Sequence, residues 1–382
     1  MGLLDARESE EPKREEGGRM MPPATVGPGF QNVAAVREMK VDRRRLFHRA
    51  AMTLAAGQLS VLGSMDARSS KAKPAEAAAT KPGTNTSFGS LKQINAGLLD
   101  VGYAEVGPAN GPAVILLHGW PYDIHSYVDV APLLASAGYR VIVPYQRGYG
   151  TTRFLSNDTL RNGQQSVCAL DVIALMDALK IQKAIIAGFD IGARTADVMA
   201  ALWPERCKAL VSVSGYLITS LEANLQPLPP KAELGWWYQY YFSTERGKLG
   251  YSKYRYDFSK LIWKNVSPNW DFDDATFERT AASFNNPDHV AIVIHNYRWR
   301  LSLAKGEPRY DDLERKLFKG PVITVPTITI ASDFDGPAGD GSSYRKKFSG
   351  KYSHRIFKGI GHNVPQEAPQ AFAKAVVDVG GY

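Results

Sequence analysis

Cysteine is nearly missing from this chain: Cys168 and Cys207 are the only two in 382 residues. They form no C-x-x-C pair, and no histidine spacing of metal-site type accompanies them. The sequence therefore offers neither a disulfide scaffold nor a zinc site, and both cysteines read as core residues. Long apolar runs are missing too, since none reaches the roughly 20 residues that a membrane span needs. The third shortage is charge of one sign. The net charge is +8, but residues 1–82 hold 14 Lys/Arg against 10 Asp/Glu, leaving 32 against 28 in the other 300. That balance argues against a nucleic-acid surface. What is present is 44% hydrophobic residues and a length sufficient for one large α/β domain with an insertion, or for two domains.

The N-terminal part divides by composition. Residues 1–38 mix charges with Gly and Pro without periodicity and read as a disordered extension. Residues 39–67 resemble a twin-arginine export signal, with Arg44-Arg45-Leu46-Phe47 ahead of a weakly apolar stretch diluted by Gln58 and Ser60. On that reading Met39 is the start and the protein is exported to the periplasm; the alternative is a basic arm on a cytoplasmic protein. Residues 68–92, rich in Ala, Lys, Thr and Ser, read as a linker.

From Gln93 onward short β-type runs recur at Leu98–Val106, Ala113–His118, Arg140–Pro144, Ala184–Gly188, Ala209–Gly215, Thr327–Ser332 and Ser353–Lys358. Helical spacing lies between most of them. In Gln165–Lys180, for example, Val167, Leu170, Ile173, Met176 and Leu179 share a face, and Gln366–Val377 follows the same pattern. Alternating strands and helices predict a mostly parallel sheet covered on both faces, formed by 93–215 and 323–382. The interval 216–322 is Trp- and Tyr-rich and helix-compatible. Too long for a loop, it reads as a helical cap over the carboxyl ends of the strands, where ligands bind in such sheets.

The run Ala-Ile-Ile-Ala-Gly188-Phe-Asp190-Ile-Gly192 is a strand entering a tight turn and then a helix. Small residues two before and two after position 190 allow a bend sharp enough to leave one side chain proud of the sheet, at a helix N-terminus that favours an anion. Asp190 is therefore a candidate nucleophile. Its other reading is a simple N-cap of the following helix. Three further pieces sit at strand ends. His118-Gly119-Trp120-Pro121 can aim the Trp120 backbone N–H at an oxyanion, partnered by that of Ile191; His118 reads equally as a buried structural histidine. Thr327–Ser332 ends in Asp333 and Asp335, of which Asp335 is preferred as an orienting acid and Asp333 held in reserve. His362, in Gly-Ile-Gly361-His362-Asn363, is the candidate base. The order nucleophile, acid, histidine completes a triad pattern.

Together these motifs resemble the α/β-hydrolases of the branch containing epoxide hydrolases, haloalkane dehalogenases and fluoroacetate dehalogenases, over roughly residues 93–382. The resemblance implies the α/β-hydrolase fold and cofactor-free hydrolysis of a small molecule. Asp190 attacks a saturated carbon, and His362 with Asp335 activates the water that cleaves the resulting ester. Trp236-Trp237-Tyr238 and His295-Asn-Tyr297-Arg298 resemble the two tyrosine-bearing cap motifs of epoxide hydrolases, which makes Tyr238 and Tyr297 the groups that assist the leaving oxygen. His118, Pro121, Trp237 and Arg194 are implied as pocket residues, whereas Tyr240 and Tyr241 read as apolar lining. Ile191 departs from the Trp that haloalkane dehalogenases, and most epoxide hydrolases too, carry after the nucleophile, and from the Arg of fluoroacetate dehalogenases. The haloalkane dehalogenases bind halide with that indole N–H, whereas epoxide opening asks mainly for a backbone N–H, so the loss weakens halide binding more. Arg194 matches the second of two arginines that bind carboxylate in fluoroacetate dehalogenases; it serves either an acidic substrate or a carboxylate under the cap. A dehalogenase and a low-turnover ligand-binding protein remain the competing expectations.

Overall fold

The computed structural model describes residues 85–382. The extension, the export signal and most of the linker expected from the sequence lie outside the described residues. Nine strands form one sheet: β1 Lys92–Ala96, β2 Leu99–Val106, β3 Ala113–Leu117, β4 Arg140–Pro144, β5 Arg153–Phe154, β6 Ala184–Gly188, β7 Cys207–Val213, β8 Thr327–Ser332 and β9 Tyr352–Phe357. The order is β1-β2-β4-β3-β6-β7-β8-β9, with the short β5 paired to β2. Pairing is antiparallel at the β1/β2 edge and between β2 and β4, and parallel from β4 through β9.

The parallel strands are short and apolar because both of their faces are covered. All five residues of β6 are buried, as are all six of β8. Helices α1 (Val130–Ser136), α2 (Gln165–Ala178) and α3 (Ile191–Leu202) occur between successive strands. After β7 the chain stays helical until β8: α4 Leu221–Asn224, α5 Pro230–Gly235, α6 Trp237–Ser243, α7 Glu245–Val266, α8 Asp274–Ala281, α9 His289–Arg300 and α10 Asp311–Phe318. Helices α11 (Val364–Glu367) and α12 (Pro369–Gly380) close the fold.

The helical segment is pinned to the sheet by polar contacts within an aromatic core. The Trp263 indole N–H donates to the Pro121 carbonyl (2.8 Å), the Thr280 hydroxyl to Asp123 (3.0 Å), and the Asn286 amide to the Thr152 carbonyl (2.7 Å). Trp263 is fully buried and stacks on Tyr122 at 5.0 Å. Truncating such a residue to Ala costs about 3–5 kcal/mol. Arg298 ties α6 to α7 by donating to the carbonyls of Phe242 and Thr244 and to the Glu245 carboxylate. The tyrosines of α6 and α9 are thereby fixed over one end of the sheet.

Candidate active site

Strands β3, β6, β8 and β9 all deliver loops to their carboxyl ends. At the end of β6 the backbone turns through Asp190 with φ 53° and ψ −129°, a conformation costing about 1–3 kcal/mol that persists only where its surroundings enforce it. Close approach explains the glycines. A Cβ on Gly192 would lie 2.0 Å from the Leu117 carbonyl oxygen, and one on Gly119 would lie 2.3 Å from Asp190 Cβ. The loop after β3 and the turn after β6 can touch only because both positions lack side chains.

That contact defines the surroundings of Asp190. Its Oδ1 accepts from the Trp120 backbone N–H at 2.8 Å, and its Oδ2 lies 3.2 Å from His362 Nε2. The carboxylate does not cap α3 by a side-chain hydrogen bond, so the simple N-cap reading does not describe its role. Burial pushes its pKa up, but the hydrogen bond and charge of His362 and the N–H groups of Trp120 and Ile191 outweigh that effect and hold it below the usual carboxylate range. Asp190 is therefore an anion with Oδ1 held by the Trp120 N–H and Oδ2 beside an imidazole.

Two buried phenols stand next to it. The rings of Tyr238 and Tyr297 are 5.6 Å apart and edge-on, and each lies against Trp120, at 5.2 and 5.4 Å. Burial, reinforced for both by the charge of Asp190, pushes their pKa values well up, so both hydroxyls stay protonated donors. The Trp120 indole N–H is already used: it donates to the Tyr251 hydroxyl at 2.8 Å. A narrow cavity runs beside the elbow, lined by Gly119, Tyr149, Ile191, Ile292, Val293 and Asn296 among others.

The remaining expected residues are placed less simply. His118 is fully buried, and Gln146 N–H donates to its Nε2, so Nδ1 carries the proton and bonds the Gly119 carbonyl. It holds the loop and does not line the pocket, which corrects the substrate-pocket expectation. Pro121 is buried with its carbonyl taken by Trp263, and Trp237 packs on Tyr238, Tyr241 and Phe258. Tyr240 is 44% exposed and hydrogen-bonds Glu233. Asp335 accepts from the Ser332 backbone N–H (2.8 Å) and Asp333 from that of Gly359 (2.8 Å). Neither hydrogen-bonds His362, whose Nδ1 is buried without a partner, although Phe334 between them packs 4.2 Å from the imidazole.

Sequence reasoning missed the support of the histidine loop. Glu367 accepts from the backbone N–H groups of Gly361 (2.7 Å) and Asn363 (3.0 Å) and from the Ser267 hydroxyl (2.7 Å). Ser267 in turn accepts from the His362 N–H at 2.9 Å. No local motif marks Ser267, which lies 100 positions from Glu367.

The family model for the α/β hydrolase fold matches residues 112–250. A crystal structure from Klebsiella pneumoniae, provisionally named an epoxide hydrolase, is 59% identical; it superposes with a TM-score of 0.76, over 77% of this chain and 98% of that one. The chain belongs to the α/β-hydrolase family. Within it, it is epoxide-hydrolase-like: it is 36% identical over 115 residues to an epoxide hydrolase of Caballeronia sordidicola and 34% identical over 149 residues to epoxide hydrolase B of Mycobacterium tuberculosis. Those matches cover 30% and 36% of this chain and only 34% and 41% of the two relatives.

Proposed function

We propose that the protein is a cofactor-independent epoxide hydrolase acting through an alkyl-enzyme ester on Asp190. The observation that carries this reading is the placement of one ionised carboxylate against the Trp120 N–H and His362, with the buried hydroxyls of Tyr238 and Tyr297 alongside. Asp190 Oδ2, the oxygen not held by Trp120, attacks a ring carbon. The breaking C–O bond leaves its electron pair on the ring oxygen, which accepts hydrogen bonds from the two phenols and then a proton. Water deprotonated by His362 Nε2 adds to the ester carbonyl, whose oxygen becomes an oxyanion between the N–H groups of Trp120 and Ile191. Collapse releases the diol and restores the carboxylate. Neither Asp335 nor Asp333 reaches His362 Nδ1, so this reading assigns the histidine no orienting acid.

A haloacid dehalogenase is the second reading, favoured by the buried Arg194. Against it, Ile191 has no side-chain donor for a halide, and the indole N–H groups of Trp120 and Trp263 are already taken by Tyr251 and the Pro121 carbonyl. An assay of styrene oxide against chloroacetate and fluoroacetate, reading diol and free halide, tests the choice: diol is expected, and halide without diol overturns the epoxide reading. Export through the Arg44-Arg45 segment is a further part of the proposal, tested by N-terminal sequencing of protein from its native host. A start beyond about residue 60 is expected, and intact cytosolic chain overturns it.

A further inference from the structure

The side chain of Trp120 begins a line of hydrogen bonds that leaves the active site, crosses the helical segment and returns to a loop of the sheet. Its indole N–H meets the Tyr251 hydroxyl at 2.8 Å, and that hydroxyl lies 2.8 Å from His289 Nε2. His289 Nδ1 in turn lies 3.0 Å from the Gly148 carbonyl oxygen. Tyr251 belongs to α7, His289 opens α9, and Gly148 follows β4. All three side chains in the line are buried, Tyr251 and His289 completely.

The direction of each bond follows from the last member. A carbonyl oxygen can only accept, so His289 Nδ1 bears the proton. The imidazole stacks on Phe284 at 5.0 Å and meets the Tyr149 ring edge-on at 4.7 Å, and burial pushes its pKa down to about 3. The ring is therefore neutral, which leaves Nε2 as an acceptor. Tyr251, kept protonated by burial, donates to Nε2, and its oxygen accepts from the indole. Removing either Tyr251 or His289 leaves a buried donor unpaired, and in a water-free interior such a donor forces its neighbours to shift.

Trp120 joins this line to the nucleophile. Its backbone N–H donates to Asp190 Oδ1 at 2.8 Å, and its ring lies against Tyr238 and Tyr297 at 5.2 and 5.4 Å. We propose that Tyr251 and His289 are positioning residues: by holding the indole they set the Trp120 backbone N–H on Asp190, and with it the stabilisation of the oxyanion during ester hydrolysis. The effect on hydrolysis rests on the epoxide reading of the same site, whereas the placement of the Trp120 N–H does not.

The test uses protein labelled with ¹⁵N-tryptophan, as wild type, Tyr251→Phe, His289→Leu and His289→Gln, the last keeping an acceptor near the Nε2 position; Trp120→Phe identifies the Trp120 signals. Both N–H groups of Trp120 are expected to be protected from hydrogen exchange in the wild type. Protection of both should fall about tenfold or more in Tyr251→Phe and His289→Leu, and less in His289→Gln. Hydrolysis of the ester formed from styrene oxide should slow about tenfold in the first two variants and recover in part in the third, because displacing an oxyanion donor costs less than the roughly 10²–10³-fold of removing one. In a Trp120→Phe background, Tyr251→Phe should slow it no further. A Tyr251→Phe protein in which only the indole N–H changes, with the backbone N–H and ester hydrolysis as in the wild type, makes Tyr251 a packing residue and overturns the proposal. Equal losses in His289→Leu and His289→Gln overturn the part assigned to His289, and these two variants decide the question if Tyr251→Phe does not fold. A wild type that yields no diol overturns the epoxide reading, and the Trp120 backbone signal then decides the positioning by itself.

Discussion

Asp190 Oδ2 lies 3.2 Å from Nε2 of His362, whose other ring nitrogen is buried without a partner. Nε2 is thus the nitrogen placed to take a proton from water arriving at an ester on Asp190. Replacing it separates the two half-reactions. In His362→Gln the ester should still form and then persist, with steady turnover reduced about 10²–10⁴-fold. Intact-protein mass spectrometry after mixing with styrene oxide should find one substrate mass added per chain. Unmodified protein with undiminished turnover would remove His362 from the second step.

The two phenols act on the first step. Because burial and the Asp190 charge keep both protonated, they serve as hydrogen-bond donors to a developing alkoxide. Tyr238→Phe and Tyr297→Phe should each slow ester formation about 10–100-fold, and the double variant should lose more than either. Single-turnover quenching reads that step directly. Unchanged ester formation in the double variant would reduce the phenols to pocket lining.

Glu367 and Ser267 position His362 without touching substrate. Glu367→Gln weakens the grip on the N–H groups of Gly361 and Asn363 while keeping one acceptor. Ester hydrolysis should slow about tenfold with ester formation unchanged, so that ester accumulates in the steady state. An equal fall in both steps, or in neither, would contradict a positioning role.

Asp197 links stability to pH. Burial, opposed by the Leu217 N–H, the Ser212 hydroxyl and the Arg194 charge, leaves its folded pKa at about 8, above the unfolded value of 3.8. Its stabilising contribution is therefore complete below pH 3.8 and is lost as pH rises through about 8, with a limiting slope near 1.4 kcal/mol per pH unit. Asp197→Asn, which imitates the protonated acid, should flatten the fall in urea stability between pH 5 and pH 8. A parallel pair of curves would mean that Asp197 is ionised in the fold.

The parts of the fold that were legible in the sequence are those that obey a local rule. Strands β4, β6 and β8 end where their apolar runs end, because strands buried on both faces carry that signal in consecutive residues. The two-residue β5 and the edge strand β1, with its exposed residues, carry too little apolar pattern to be seen. At the site, Asp190 and His362 were legible because tight glycine-bearing turns frame both. His118 was not separable from a pocket residue, since only the fold reveals that Gln146 and Gly119 occupy its two nitrogens.

The most direct measurement is a single turnover in ¹⁸O-water followed by mass analysis of the peptide containing Asp190. If water attacks an ester on this residue, ¹⁸O should enter the Asp190 carboxylate, and the first diol released should carry the unlabelled oxygen from the enzyme. Label found only in the diol, with Asp190 unlabelled, would mean that water attacks the epoxide itself and that no ester forms.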